Sequence, residues 1–130
     1  MSDGVVTELV EKFRDVEKEI AEEKGDFRLF ALVLRDGAPN RWDVLISAPW
    51  TGGDPKERLK YFVGQIKSRV GADDLINISR VIVLKPTEES VKTFNRAFDV
   101  KHGRLEVKDI EVRGILIKQA FIITSRKRPG

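Results

Sequence analysis

The chain has 130 residues, of which 41% are hydrophobic and 35% are charged, and its net charge is +3. This size and balance predict one globular domain with a highly charged surface, so residues 1–130 are interpreted as a single domain. The absence of cysteine excludes disulfides and thiolate metal sites, and a single histidine, His102, disfavours His-rich metal sites and most His-dependent catalytic pairs.

The sequence contains no apolar run near the roughly 20 residues that span a bilayer. Its N-terminal segment, MSDGVVTELVEKF, is acidic where a signal peptide is basic, and it has no apolar central region. We therefore expect a cytoplasmic protein with no membrane attachment.

The two ends of the chain carry opposite charge. Residues 3–26 include nine acidic and four basic side chains, whereas residues 101–130 include eight basic and three acidic ones. Two interpretations remain open. The ends are either solvated faces that attract each other within the fold, or the basic end meets an anionic partner.

The first predicted element is an amphipathic helix over residues 3–24, which Gly25 ends. Its apolar residues recur at spacings of three and four, which predicts a helix lying on its own sheet. The same stripe also fits a short seam for a helix–helix homodimer. Its members are Val6, Leu9, Phe13, Val16 and Ile20.

The densest β signal follows, and it predicts a hairpin with strands at residues 27–35 and 41–48. Between them, residues 36–40 combine Gly, Pro, Asp and Asn, which favour a turn. The first strand is apolar in both alternating registers, and this pattern is typical of a central strand covered on both faces.

Aromatic and charged side chains around the second strand are candidate binding residues, because exposed rings near arginine can stack on a ligand or a nucleobase. Trp42 follows the apolar register and is expected in the core. Asp43 faces the opposite way and is expected to pair with an arginine such as Arg28 on the neighbouring strand. Trp50 lies beyond the regular strand and is expected to be partly exposed. The functional prediction therefore centres on residues 47–53.

The rest of the chain predicts two further helices and three further strands. Asp54 is a predicted cap for the second helix and Thr87 for the third. The strand at residues 76–84 contains the run VIVL, which suggests a central position. Two strands over residues 105–112 and 115–125 complete the pattern. A change of phase between Val107 and Ile110 predicts a bulge near Lys108 and Asp109.

The resulting order α-β-β-α-β-α-β-β predicts an α+β fold in a single domain, with helices packed on a mixed, largely antiparallel sheet. Residues 126–130 form a basic tail that we expect to fray.

Asp99, Glu106 and Lys108 resemble, by spacing alone, the acid–x(n)–Glu-x-Lys pattern of metal-dependent nucleases. In those enzymes the first acid lies on a strand, whereas Asp99 is expected at a helix end. His102 lies in a Lys-His-Gly turn and is expected to have no catalytic role. A nuclease-like enzyme is therefore the second alternative, and no catalytic residue, metal or cofactor is assigned.

The leading functional hypothesis is a small non-catalytic binding module for another protein or a second copy of itself. The first alternative is nucleic-acid binding through the basic C-terminal hairpin and tail, with the salt dependence that phosphate contacts confer. The candidate binding residues are Arg41, Trp42, Asp43, Trp50, Arg126, Lys127 and Arg128.

Overall fold

The computed structural model describes residues 3–37 and 41–127. Within these residues the helices are α1 (Asp3–Lys24), α2 (Pro55–Arg69), α3 (Ala72–Leu75) and α4 (Glu89–Ala97). The strands are β1 (Leu29–Arg35), β2 (Trp42–Ser47), β3 (Ile78–Val83), β4 (Leu105–Val112) and β5 (Ile115–Ser125).

The strands form one sheet in the order β3-β2-β1-β5-β4. All neighbours are antiparallel except β2 and β3, which are parallel because α2 and α3 carry the chain back across the sheet between them. The predicted α+β fold with a mixed, largely antiparallel sheet is confirmed. The short helix α3 was not predicted.

The central position predicted for the first strand is confirmed, because β1 lies between β2 and β5. The central position predicted for the third strand is wrong. β3 lies at the edge of the sheet, and the side chains of Val81, Ile82 and Val83 are only half-buried.

Helices α1 and α2 cover the first face of the sheet and enclose the larger part of the core. The apolar stripe of α1 contributes four almost fully buried side chains, so it packs within the fold as the main interpretation predicted. These are Leu9, Phe13, Val16 and Ile20. These four residues, which also fitted a dimerisation seam, therefore pack in the core of the same chain.

Helix α4 covers only one end of the second face. The side-chain amide of Asn95 donates to the backbone oxygen of Arg28 at 2.9 Å and to the hydroxyl of Ser125 at 3.0 Å. These bonds fix α4 over the end of the sheet where β1 begins and β5 finishes. Nine residues make a helix of only about 13 Å, whereas the 11 residues of β5 extend about 36 Å. Among residues 3–37 and 41–127, no helix covers the opposite end of this face.

The β4–β5 hairpin turns at Arg113 and Gly114, whose φ values of 53° and 82° suit a tight two-residue turn. The bulge predicted near Lys108 and Asp109 is wrong, because the β4–β5 pairing keeps one register from Leu105 to Val112 without a shift. The change of phase instead accompanies a local distortion of the backbone. Asp109 has a φ of 51°, and Val107 and Ile110 both pack on the second face although an odd number of positions separates them.

The start of α2 agrees with the sequence, because a side-chain oxygen of Asp54 accepts from the backbone N–H of Lys56 at 3.3 Å. The cap predicted at Thr87 is wrong. Glu88 occupies that position, and its carboxylate accepts instead from the backbone N–H of Lys85 at 2.5 Å.

Candidate functional site

The end of the second sheet face that α4 leaves uncovered contains a concavity of about 180 Å³. Each of the five strands contributes at least one apolar side chain to it, and α4 closes one side. The principal apolar lining residues are Val33, Leu45, Ile82, Phe94, Val112 and Ile117. We call this space the sheet-end concavity.

A cluster of three charged side chains also lines the sheet-end concavity. The carboxylate of Asp43 is 2% exposed and lies between two guanidinium groups. Arg35 donates through Nε to Oδ2 of Asp43 at 2.8 Å. Arg80 donates through Nη2 to the same oxygen at 2.9 Å and through Nε to Oδ1 at 3.2 Å.

Strand register explains why these three side chains meet. Asp43 pairs with Arg80 across the parallel β2–β3 ladder and with Val33 across the antiparallel β1–β2 ladder. Arg35 is two residues beyond Val33 and therefore lies on the same face, diagonal to Asp43. The prediction that Asp43 pairs with an arginine is confirmed, but the proposed partner, Arg28, is wrong. Arg28 lies at the other end of β1, where its side chain donates to the backbone oxygen of Lys127.

The charged cluster carries a formal net charge of +1, because one carboxylate lies between two cations. The hydrogen bond from Arg80 to Asp43 raises the pKa of this guanidinium further above its ordinary value. The side chains of Arg35 and Arg80 are 36% and 50% exposed. Among the described residues, both Nη groups of Arg35 and Nη1 of Arg80 have no hydrogen-bond acceptor. The cluster thus presents unused N–H donors beside an apolar surface.

Two other candidate residues lie next to this site without lining it. Arg41 is exposed and donates through Nη2 to the backbone oxygen of Ile78 at 3.0 Å. Trp42 is 2% exposed, as expected for a core residue, and its ring lies 5.6 Å from that of Phe121 on the first face of the sheet.

Trp50 is half-buried, as expected, and it joins the end of α1 to the chain after β2. Its indole N–H donates to the backbone oxygens of Gly25 at 2.9 Å and Asp26 at 3.2 Å. Its ring packs edge-on against Phe27, with 5.6 Å between the centroids. These contacts give Trp50 a structural role at the place where residues 47–53 were predicted to bind a partner.

An open groove of about 290 Å³ runs beside Trp50, and Lys24, Arg58 and Tyr61 contribute to its lining. The ring of Tyr61 stands perpendicular to that of Trp50, and Lys24 lies 5.9 Å above the Tyr61 ring. Burial raises the pKa of the Tyr61 hydroxyl above its ordinary value. The rings of Trp50 and Tyr61 pack on one another. The groove is more open to solvent than the sheet-end concavity.

Part of the basic C-terminal tail is joined to the domain. The guanidinium of Arg126 lies 3.6 Å from the carboxylate of Asp99, and its backbone N–H donates to the oxygen of Arg28 at 3.0 Å. Lys127 accepts a hydrogen bond from Arg28 through its backbone oxygen. Arg128, with the rest of residues 128–130, lies outside the described residues.

The oppositely charged ends of the chain meet within the fold. Lys101 lies 3.2 Å from the carboxylate of Asp26, and Arg104 lies 3.5 Å from that of Glu11. These ion pairs support the interpretation in which acidic helix and basic hairpin attract each other. They also reduce the positive charge that this segment offers to phosphate groups.

The same contact region contains a buried acid that sequence reasoning missed. Glu17 is completely buried, and its carboxylate lies 2.5 Å from Nδ1 of His102 and accepts from the hydroxyl of Thr124 at 2.8 Å. Burial raises the pKa of Glu17 above its ordinary value, although the hydrogen bonds from His102 and Thr124 oppose this rise. The available signal was its position, since Glu17 is four residues after Phe13 and three before Ile20, on the apolar face of α1.

The residues of the nuclease-like pattern have separate partners. Asp99 is 83% exposed and faces Arg126, whereas Glu106 accepts from the side-chain amide of Gln119 at 2.7 Å and lies 3.5 Å from Lys108. Over residues 3–37 and 41–127, no group of three or more His, Cys, Asp and Glu side chains is arranged to hold a metal ion.

No protein-family model, curated protein or solved structure matches this chain. Among the helices that the structure describes, none has the length and apolar character required to cross a bilayer.

Proposed function

We propose that the protein is a small non-catalytic binding module whose ligand occupies the sheet-end concavity. The observation that carries the proposal is the incomplete cover of the second sheet face. Helix α4 leaves apolar side chains of all five strands around a concave space. A charged cluster stands at the same place, and some of its N–H donors have no acceptor among the described residues.

Removing apolar surface from water lowers the free energy by about 25 cal/mol for each Å². A concave apolar site with a few polar groups that fix orientation is the usual form of a small-molecule site. A protein partner usually requires a wider surface, of about 800 Å² on each side. The geometry therefore favours a small ligand over the protein partner suggested by the sequence.

A second copy of the chain is the competing occupant, because Ile115, an apolar residue that also lines the concavity, is 54% exposed. Light scattering over a range of protein concentrations separates the two cases. A dimer that Ile115→Lys dissociates would contradict the small-molecule proposal.

The direct test is methyl NMR of the chain with a mixture of small fragments of positive, negative and zero charge. Binding is expected to shift the methyl signals of Val33, Leu45 and Ile117, and to leave those of Val44 and Ile46 on the first face unchanged. Shifts spread over both faces, or none at any fragment concentration, would contradict the proposal.

Two variants close the concavity from different sides. Val33→Phe fills it from β1, and Ser90→Leu fills it from α4, where the side chain is only half-buried and the substitution is better tolerated. Both should abolish the shifts. Val63→Phe, which adds the same volume at a half-buried site on α2, is the matched control and should leave them intact.

A further inference from the structure

We infer that the ligand of the sheet-end concavity is a ring-sized organic monoanion, with its carboxylate at Arg35 and Arg80 and its apolar part in the concavity. This inference rests on the proposed function and adds the chemical class of the ligand. It follows from three properties of the site, namely its volume, its charge and the geometry of its donors.

The volume limits the apolar part of the ligand. An apolar protein cavity of about 150 Å³ is large enough to bind benzene. The sheet-end concavity has about 180 Å³ and is open on one side. It therefore accommodates one aromatic ring or a branched aliphatic group of similar size, and it is too small for a long acyl chain or a fused ring system.

The charge of the cluster selects the sign of the ligand. Asp43 neutralises one of the two guanidinium groups, so one positive charge remains. The apolar strands next to it lower the local dielectric constant, which strengthens the attraction of an anion relative to bulk water. A cationic ligand is repelled by this net charge, and a neutral ligand gains only the apolar contacts.

The donor geometry favours a carboxylate. Guanidinium is planar and presents its N–H groups as a fork that matches two carboxylate oxygens. Asp43 holds both arginines by hydrogen bonds, so their orientation is fixed before a ligand arrives. This preorganisation lowers the entropy lost on binding.

The test uses three probes of similar size and different charge, namely phenylacetate, phenylacetamide and phenethylamine. NMR titration measures the affinity of each probe. For a ligand of this size we expect phenylacetate to bind with a Kd on the order of 10⁻⁴ to 10⁻³ M. Phenylacetamide should bind about tenfold more weakly, since charge-assisted hydrogen bonds are roughly twice as strong as neutral ones. Phenethylamine should cause no shifts at the concavity.

Variants of the arginines connect the effect to the cluster. Arg35→Gln and Arg80→Gln should each weaken phenylacetate binding about five- to tenfold, whereas Arg41→Gln, a neighbouring arginine outside the concavity, should not change it. If Arg80→Gln does not fold, Arg80→Lys keeps the charge without the planar fork, and binding should still weaken several-fold.

The outcomes distinguish this inference from the proposed function. Equal affinity for phenylacetate and phenylacetamide, or unchanged phenylacetate binding in the arginine variants, would overturn the anion inference while the concavity remained a binding site. If no probe shifts the methyl signals around the concavity, and Ser90→Leu has no effect on any ligand, both the inference and the proposed function fail.

Discussion

Replacing the Asp43 carboxylate by an amide tests how firmly the charged cluster is built. Asp43→Asn keeps the volume of the side chain but removes its charge. Three hydrogen bonds from Arg35 and Arg80 currently end on the carboxylate, which is 2% exposed. The amide cannot accept all of them, and those it retains are no longer charge-assisted.

The expected loss of stability in Asp43→Asn follows from the number of hydrogen bonds and from the solvent exposure of the two arginines. Each charge-assisted bond contributes about 1.5–3 kcal/mol and a neutral one about 1 kcal/mol, which sets a loss near 3 kcal/mol for three bonds. The arginines are 36% and 50% exposed, so water solvates them after the carboxylate is lost and reduces this figure. We expect a loss of about 2 kcal/mol in the free energy of unfolding, below the roughly 3–5 kcal/mol typical of a broken pair that is buried on both sides.

Urea denaturation of Asp43→Asn, Arg80→Gln and the double variant measures the loss of stability in each variant. It also measures the coupling energy between the Asp43 and Arg80 side chains. The double-mutant cycle should give a coupling of about 1 kcal/mol or more. Asp36→Asn, an exposed aspartate just after β1, is the matched control and should change stability by less than about 0.5 kcal/mol. A loss in Asp43→Asn no larger than that of the control, or a coupling of zero, would refute the reasoning.

Three further variants test the scaffold by chemical denaturation. Gly25 has a φ of 121°, and an added Cβ would lie 3.2 Å from Cδ1 of Trp50, so Gly25→Ala should cost about 1–3 kcal/mol. Gly64 lies inside α2, and an added Cβ would meet no atom within 4 Å apart from its chain neighbours and the backbone of its own helix, so Gly64→Ala should stabilise by about 0.5–1 kcal/mol. Equal effects of the two glycine substitutions would contradict this interpretation. The raised pKa of Glu17 gives a contribution that is fully present below its ordinary value of 4.5 and is lost as pH rises through the folded-state pKa. Glu17→Gln should remove this part of the pH dependence while His102 remains in place, and an unchanged slope above pH 4.5 would contradict it.

Local sequence signals identified most elements, because caps, glycine stops and apolar spacing act over a few residues. They did not determine strand order. The VIVL run of β3 is apolar in both registers, as is β1, yet β3 lies at the edge. Strand β2 lies between β3 and β1. The place of β3 in the sheet depends on the direction in which the α2–α3 connection crosses the sheet. No residue within the strand encodes that direction.

The charged cluster shows the same limit. The sequence predicted that Asp43 pairs with an arginine such as Arg28 on the neighbouring strand, and the arginine partner was right but its identity was wrong. Arg28 and Arg35 both lie on or beside β1, and only the register of Asp43 against Val33 places Arg35 within reach. Arg80 is distant in sequence and becomes a neighbour only after the parallel β2–β3 pair has formed.

The location of the candidate site follows from a difference in length between α4 and the strands. The nine residues of α4 cannot cover strands of up to 11 residues, so among the described residues no helix covers one end of the second face. Which end remained open depends on Asn95, whose hydrogen bonds hold α4 at the start of β1. Had α4 been anchored at the other end, it would have covered Asp43 and its arginines, and a buried net charge would have been costly. The anchoring of α4 therefore both stabilises the domain and leaves the charged cluster accessible to a ligand.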